Sequence, residues 1–453
     1  MKRVIQVAVA AAVAVVAWAF WRGASAPTGG AAFGPAEGEP SVAVEAVSAP
    51  RAPVHRALGR GSEDSPLPSG PAPPPPTEPA PVAADAAAQS DRIPGEYVLS
   101  FYSWRESDAF VRAAREQGIE ILDRMALGNA VRVRAGDEAL LKRLAAGVSR
   151  PSRFDYNYYV RLPPPPSGDD KRAPESGYLG FGPNALPWMG VGFGSPDWGK
   201  GVKVAILDTA IQRHTALSET SVSRLEIDGG MNGDSGPGSA HGTAVASIII
   251  GETEGLHGIA PSAEIVGIPV ASGDGTGDTF TLARGIVEAV TVGASVINLS
   301  LGSYGDSAVL QDAVDYALRN GAAVVASTGN DAVLGVMYPA RYDGVIAVGA
   351  VDAEYRHVYF SNRGDEVDLT APGIAVSAAA PNGSVGLFSG TSAAAPVVSG
   401  ALAALLSENP GMSPPEAADL LMLSADDRGE PGRDEEYGNG VLNLGRAMDR
   451  RIE

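Results

Sequence analysis

Val204-Ala205-Ile206-Leu207-Asp208-Thr209-Ala210 is the stretch that decides the fold. Four apolar residues follow one another without polar alternation and end on an acid. A half-buried strand alternates; an unbroken apolar run is covered on both faces, as in parallel sheets flanked by helices. Comparable runs stand at 264–270, 296–299, 322–326 and 344–348, with helical stretches between them. Strand and helix in alternation from about Trp188 onward predict an α/β domain on a mainly parallel sheet. Asp208 then falls at the carboxyl end of a buried strand, where such sheets carry ligands and catalytic groups. Taken alone, it reads equally as a turn aspartate bonded to the next backbone amides.

Two further segments complete a pattern. His241-Gly242-Thr243-Ala244-Val245-Ala246-Ser247 leads into a helix. A histidine at such a start can be held in one tautomer by an acid, although a capping or surface histidine is the plainer reading. Gly390-Thr391-Ser392-Ala393-Ala394-Ala395-Pro396 precedes Val397 to Leu406, which is apolar all round and predicts a buried helix. A serine at its mouth receives the positive end of the helix dipole, which stabilises a developing anion, and the small neighbours let a substrate backbone come close. A plain N-cap serine is the alternative. In chain order the three residues run Asp, His, Ser, the order of subtilisin and not of chymotrypsin or the α/β-hydrolases.

Over about residues 186–447 these segments resemble the subtilisin family of serine proteases in type, order and spacing. The resemblance implies a subtilisin-like three-layer αβα fold over 186–453 and a serine endopeptidase acting on protein or peptide substrates. It makes Ser392 the nucleophile, His241 the general base and acid, and Asp208 the group that orients the imidazole, the three side chains forming one hydrogen-bonded file. Ala326-Ser327-Thr328-Gly329-Asn330 resembles the family's oxyanion-hole segment, which gives Asn330 that role beside the Ser392 amide. Ser300-Leu301-Gly302 resembles the strand that pairs with an extended substrate, and Gly275-Thr276-Gly277 the opposite edge. Gly275, Ser300, Leu301, Gly302, Ser327, Gly329 and Met337 are therefore the expected substrate-binding residues. Met337 stands where some relatives have glycine at the base of the main specificity pocket. It predicts a shallow pocket, unless local loop length differs and Met337 is simply core.

Upstream, residues 92–162 read as strand, helix, strand, strand, helix, strand: Gly95–Phe101, Glu106–Gly118, Ile119–Leu122, Ala130–Val133, Asp137–Ala146 and Phe154–Leu162. That is the split ferredoxin-like α+β order. The unit resembles the propeptide of the same family, implying an intramolecular inhibitor whose tail lies near the cleft; an independent binding domain has the same pattern. Residues 163–185, opening on Pro163 to Pro166, read as a linker with the autoprocessing site. Residues 27–91 are rich in Pro, Ala, Gly and Ser and predict an extended disordered spacer. At residues 1–26, Lys2 and Arg3 precede an apolar run from Val4 to Trp21, and Ala24-Ser25-Ala26 resembles a cleavage site followed by Pro27. A cleaved signal and a membrane anchor through residues 4–21 both fit, and either predicts export.

The composition closes other routes. The chain of 453 residues carries a net charge of −19, which argues against a general nucleic-acid binder. It has no cysteine, which excludes disulfides, thiolate metal sites and cysteine nucleophiles. Gly233-Asp234-Ser235-Gly236-Pro237 mimics a chymotrypsin-type serine segment, but the only histidine upstream of Asp208 is His55, in the spacer. Signatures of esterases, zinc proteases and phosphate-binding loops are missing. No cofactor is expected. Structural calcium is conceivable in this family, but the loop Glu252 to His257 is short for it. Ala210 stands where relatives have glycine, with modest strain if that position needs positive φ, and Ala244 replaces a frequent histidine. The rival reading is a catalytically inactive family member serving as a tethered binding module.

Overall fold

The computed structural model describes residues 89–148, 151, 153–164, 177–192, 194–227, 236 and 238–450. The expected signal or anchor, the spacer up to residue 88, His55 and Ser235 lie outside these residues.

The first unit comprises Arg92–Ser100 (β1), Trp104–Glu116 (α1), Glu120–Met125 (β2), Ala130–Arg134 (β3), Glu138–Val148 (α2) and Arg153–Arg161 (β4). Its antiparallel strands run β4-β1-β3-β2. Sequence alternation fixes the two faces of this sheet. Tyr97 and Leu99 point into the unit's own core with Phe110, Val131, Val133 and Leu141. Val98, between them, faces the other way with Met125, Ala130 and Val160, into the core of the larger domain. Strand β1 begins earlier than the sequence reading placed it, because Gly95 (φ +75) marks an irregularity in register between Arg92 and Tyr97 and not the strand's start.

The larger domain follows with Ala185–Trp188 (α3), Lys203–Asp208 (β5), Val222–Arg224 (β6), His241–Ile250 (α4), Glu252–Thr253 (β7), Leu256–His257 (β8) and Glu264–Pro269 (β9). Next come Thr276–Asp278 (β10), Thr279–Thr291 (α5), Val296–Leu299 (β11), Ala308–Arg319 (α6), Ala323–Ser327 (β12), Val345–Val351 (β13) and Leu369–Pro372 (β14). Val376–Ala380 (β15), Ser384–Phe388 (β16), Thr391–Glu408 (α7), Pro414–Leu423 (α8) and Leu444–Asp449 (α9) complete it. Seven strands form one sheet in the order β14-β13-β12-β11-β5-β9-β6, with every pair parallel. Both faces are covered, as the unbroken apolar runs require. Val204 and Ile206 of β5 pack with Val245, Ile249 and the long helix α7. Ala205 and Leu207 pack on the opposite face with Phe280, Ile286 and Val314 of α5 and α6. Among the described residues α7 is the one helix long and apolar enough to cross a membrane, and it is buried in this core.

One boundary differs from expectation. Residues 177–188 are packed and not a free linker: Phe181 and Gly182 donate to the carbonyls of Ile374 and Ala375 at 3.0 and 2.7 Å, and Phe181, Leu186 and Met189 join the core. The stretch has no periodicity of its own. It acquires order by pairing with residues 374–377.

The small unit docks through polar groups that finish helix ends. Asp155 Oδ2 accepts from Ala308 N at 2.7 Å, capping α6, whose own Ser307 makes no cap bond. Asn157, fully buried, accepts at Oδ1 from Thr279 Oγ1 (2.9 Å) and Phe280 N (3.2 Å) at the start of α5, and donates to Glu96 and Asp278. Arg132 bridges Glu96 and Asp278. Burial pushes the Glu96 carboxyl up, but the Asn157 hydrogen bond and the Arg132 and Arg134 guanidiniums outweigh it and hold the group below its usual range. Tyr158 lies on Gly305, where an added Cβ would meet the tyrosine ring at 2.0 Å.

On the far side, His357 Nε2 is shut off from water without a hydrogen-bond partner among the described residues. Burial, with the charge of Arg363, lowers its pKa to about 4. The folded state therefore holds the imidazole neutral while the unfolded chain binds a proton below about pH 6.5. Between pH 6.5 and 4 the unfolded state carries more protons, so stability falls as pH falls. Urea melts should show His357→Gln losing less stability than wild type across that window, by at most about 3 kcal/mol; parallel curves would overturn the assignment.

Candidate active site

Asp208 ends β5 and is completely buried. Its two oxygens stand 2.8 and 2.9 Å from His241 Nδ1, and Oδ1 also accepts from Thr209 N at 2.7 Å. A carboxylate can only accept, so Nδ1 carries a proton. His241 opens α4, and Phe388 meets its ring edge-on at 5.2 Å between centroids. The close approach of α4 to the end of β5 depends on Gly242: an added Cβ there would stand 2.3 Å from the Thr209 carbonyl oxygen. Gly242 N donates to Thr209 Oγ1 at 3.0 Å and locks the junction.

Ser392 is the second residue of α7, at the positive end of its dipole. Gly390, at φ +133, turns the chain into the helix, and a Cβ there would meet Asn330 Nδ2 at 2.8 Å. Asn330 is oriented by Thr391, whose N and Oγ1 donate to its Oδ1 at 3.0 and 2.8 Å. Its Nδ2 is thereby aimed outward, and it donates to the Pro164 carbonyl at 3.0 Å. The next residue is held as well: Tyr304 OH donates to Asp331 Oδ2 at 2.7 Å and accepts from Asn362 Nδ2 at 2.9 Å. Burial pushes the Tyr304 hydroxyl far up, and the Asp331 charge adds to this, so it stays a donor.

His241, Asn330 and Ser392 line one cleft of about 640 Å³. The file expected from sequence is formed at its first link only. Asp208 holds His241, but the Ser392 hydroxyl donates to the Ser300 carbonyl at 3.2 Å. Behind it runs a buried polar chain in which sequence reasoning missed Asn298 and Ser399. Ser399 Oγ donates to Asn298 Oδ1 (2.9 Å), Asn298 Nδ2 to Ser300 Oγ (3.0 Å), and Ser300 Oγ to the Ser392 carbonyl (3.3 Å). Its signal was a polar interruption in each of two apolar runs, Asn298 in β11 and Ser399 in α7.

The two cleft edges are filled by the chain itself. Arg161 exchanges hydrogen bonds with Gly302 at 2.8 and 3.0 Å, Leu162 N donates to the Gly275 carbonyl at 3.0 Å, and β10 pairs antiparallel with β4. Leu301 contributes only backbone, because its side chain is in the core. Ser327 is buried at the end of β12, and its hydroxyl has no partner among the described residues. Met337 lies between Gly302 and Gly329: added Cβ atoms would meet Met337 Cβ at 3.0 Å and Sδ at 2.8 Å, respectively. It fills the slot between those glycines and is 6% exposed. Ala210 is not among the residues with positive φ, so the strain considered for it is not present. Glu252–Thr253 and Leu256–His257 pair as a tight hairpin, and no group of three or more metal-ligating side chains occurs among the described residues.

Residues 199–440 match the subtilase family. Subtilisin BL of Lederbergia lenta is 38% identical over 252 residues, covering 54% of this chain and 90% of that relative. Subtilisin DY of Bacillus licheniformis is 37% identical over 257 residues, with coverages of 54% and 90%. Among solved structures, fervidolysin from Fervidobacterium pennivorans, a keratinolytic enzyme related to subtilisin, matches with a TM-score of 0.66 at 25% identity. That match covers 80% of this chain and 62% of fervidolysin.

Gly242→Ala should separate α4 from the end of β5. The expected cost is about 1–3 kcal/mol in urea melts, together with loss of the downfield Nδ1 proton resonance of His241. Retention of that resonance would show that the glycine does not set the contact.

Proposed function

The chain belongs to the subtilase family and is a serine endopeptidase, and from that premise we propose that Asp208, His241 and Ser392 are its catalytic triad, with Asn330 as an oxyanion donor. The observation that carries the reading is the buried Asp208 on His241 Nδ1, in one cleft with Ser392 and Asn330. Ser392 Oγ turns from the Ser300 carbonyl toward His241 Nε2 and attacks the scissile carbonyl carbon as Nε2 takes its proton. The oxyanion that develops accepts from Asn330 Nδ2 and the Ser392 amide. Nε2 then hands the proton to the leaving amine, and water repeats the sequence on the acyl-enzyme. Asp208 keeps Nδ1 protonated and stabilises the imidazolium throughout. Asp208, His241, Ser392 and Asn330 all stand in the sequence, which supports an active enzyme over an inactive binding module.

Residues 92–162 act as the intramolecular inhibitor. Arg161 and Leu162 lie in the cleft as an extended substrate would, and the fervidolysin likeness extends over more of the chain than 186–453 supplies. Maturation cuts the chain before residue 177, because Phe181, Leu186 and Met189 are packed in the core of the catalytic domain. Lys2, Arg3 and the apolar run 4–21 support export, with the catalytic domain outside the cytoplasm; retention of that run as a membrane anchor has no further support. Met337 in the slot between Gly302 and Gly329 favours small or medium residues before the cut bond.

Wild type expressed beside Ser392→Ala tests the core of this reading. Wild type should shorten and digest casein, while the variant should stay full length and inert; equal processing in both would assign the cutting to another protease. Asn330→Ala should lower kcat by about 10²–10³-fold, a magnitude carried over from subtilisin. Met337→Gly should shift peptide-library preference toward Phe and Tyr before the cut. A wild type that already prefers them would overturn the shallow pocket.

A further inference from the structure

The chain that fills the cleft runs into four prolines, Pro163 to Pro166. Arg161 and Gly302 are an antiparallel hydrogen-bonded pair, each donating its N–H to the other's carbonyl. The pair is an isolated bridge, but in an antiparallel ladder hydrogen-bonded pairs recur at every second residue, so its register carried two residues on would set residue 163 opposite Ser300. An ordinary residue there would give its N–H to the Ser300 carbonyl. Proline has none to give. The acceptor is used all the same, because the Ser392 hydroxyl donates to it at 3.2 Å. The Ser392 hydroxyl thus rests on the acceptor that the N–H of an ordinary residue at 163 would take.

The next residue adds a second obstacle. Asn330 Nδ2 already holds the Pro164 carbonyl at 3.0 Å, and the peptide bonds on both sides of Pro164 are tertiary amides. Their nitrogens carry a ring carbon where an ordinary leaving amine carries hydrogen. Resting on the reading of residues 92–162 as the inhibitor, we propose that Pro163 and Pro164 make the docked segment a pseudo-substrate that the enzyme holds in its cleft and cannot cut there. Processing consequently falls beyond Pro166. A true substrate, with an N–H facing Ser300, takes that carbonyl and releases the Ser392 hydroxyl to His241. The Ser399-Asn298-Ser300 chain fixes the strand on which this exchange occurs.

The full chain is compared as wild type, as Pro163→Ala/Pro164→Ala/Pro165→Ala, and as that triple variant with Ser392→Ala. Intact mass and N-terminal sequencing locate every fragment end, and casein digestion reports activity separately. The triple variant should gain a cut between residues 163 and 167 that wild type lacks, and Ser392→Ala should abolish it. The proposal is overturned if wild type shows an end between 163 and 167, or if the triple variant digests casein yet is never cut there. If no chain carrying Ser392 digests casein, the peptidase reading itself falls, and the pseudo-substrate with it.

Discussion

A carboxylate out of reach of water must have its charge taken up by neighbours, and Asp208 is such a group. It has no exposed surface, and Thr209 N, Thr209 Oγ1 and His241 Nδ1 all lie within hydrogen-bond reach of its oxygens. The rest of the site is arranged to make this possible. β5 delivers the acid at its carboxyl end, α4 delivers the imidazole at its first residue, and Gly242 allows the two to meet. The parallel sheet therefore acts as more than a scaffold. Its strand ends lie at one edge: Asp208 at the end of β5 holds His241, Ser300 after β11 accepts from the Ser392 hydroxyl, and Asn330 after β12 lines the cleft.

A second constraint is that helix mouths leave backbone donors unsatisfied. The protein uses this in two ways. At α7 the open N-terminus presents Ser392 beside the cleft. At α5 and α6 the mouths receive Asn157 and Asp155 from the small unit. The same physics thus leaves one helix mouth open at the cleft and closes two others by docking. The docked unit satisfies groups that would otherwise face water, and its last strand passes from those caps directly into the cleft. Docking and cleft filling share one strand, so the position of Arg161 and Leu162 follows from where β4 is anchored.

Unbroken apolar runs such as 204–207 can be read locally from the sequence, because burial on both faces leaves its mark on every position. The three motif segments were also legible, since each carries glycine or alanine where backbones meet closely. The behaviour of residues 177–188 was not. Phe181 is held by Ile374, a partner far along the chain, and Leu186 is buried in the same core; a Gly/Pro-rich stretch has no period to announce such pairing. The strand start at Arg92 was hidden by Gly95, which looks like a boundary and acts as an irregularity inside the strand.

The resting state of Ser392 lay furthest from the sequence. Motifs report which groups are present, and the direction of a hydroxyl depends on which acceptors are vacant. Here that depends on a register between residues 161 and 302, set by the docking of an entire unit. Pro163 looked like punctuation at the end of a domain. If the register of the Arg161–Gly302 bridge is carried on to Ser300, it is the residue that has no N–H to give there. A residue's chemical meaning, in this case a missing proton, is fixed only once its partner across the cleft is known.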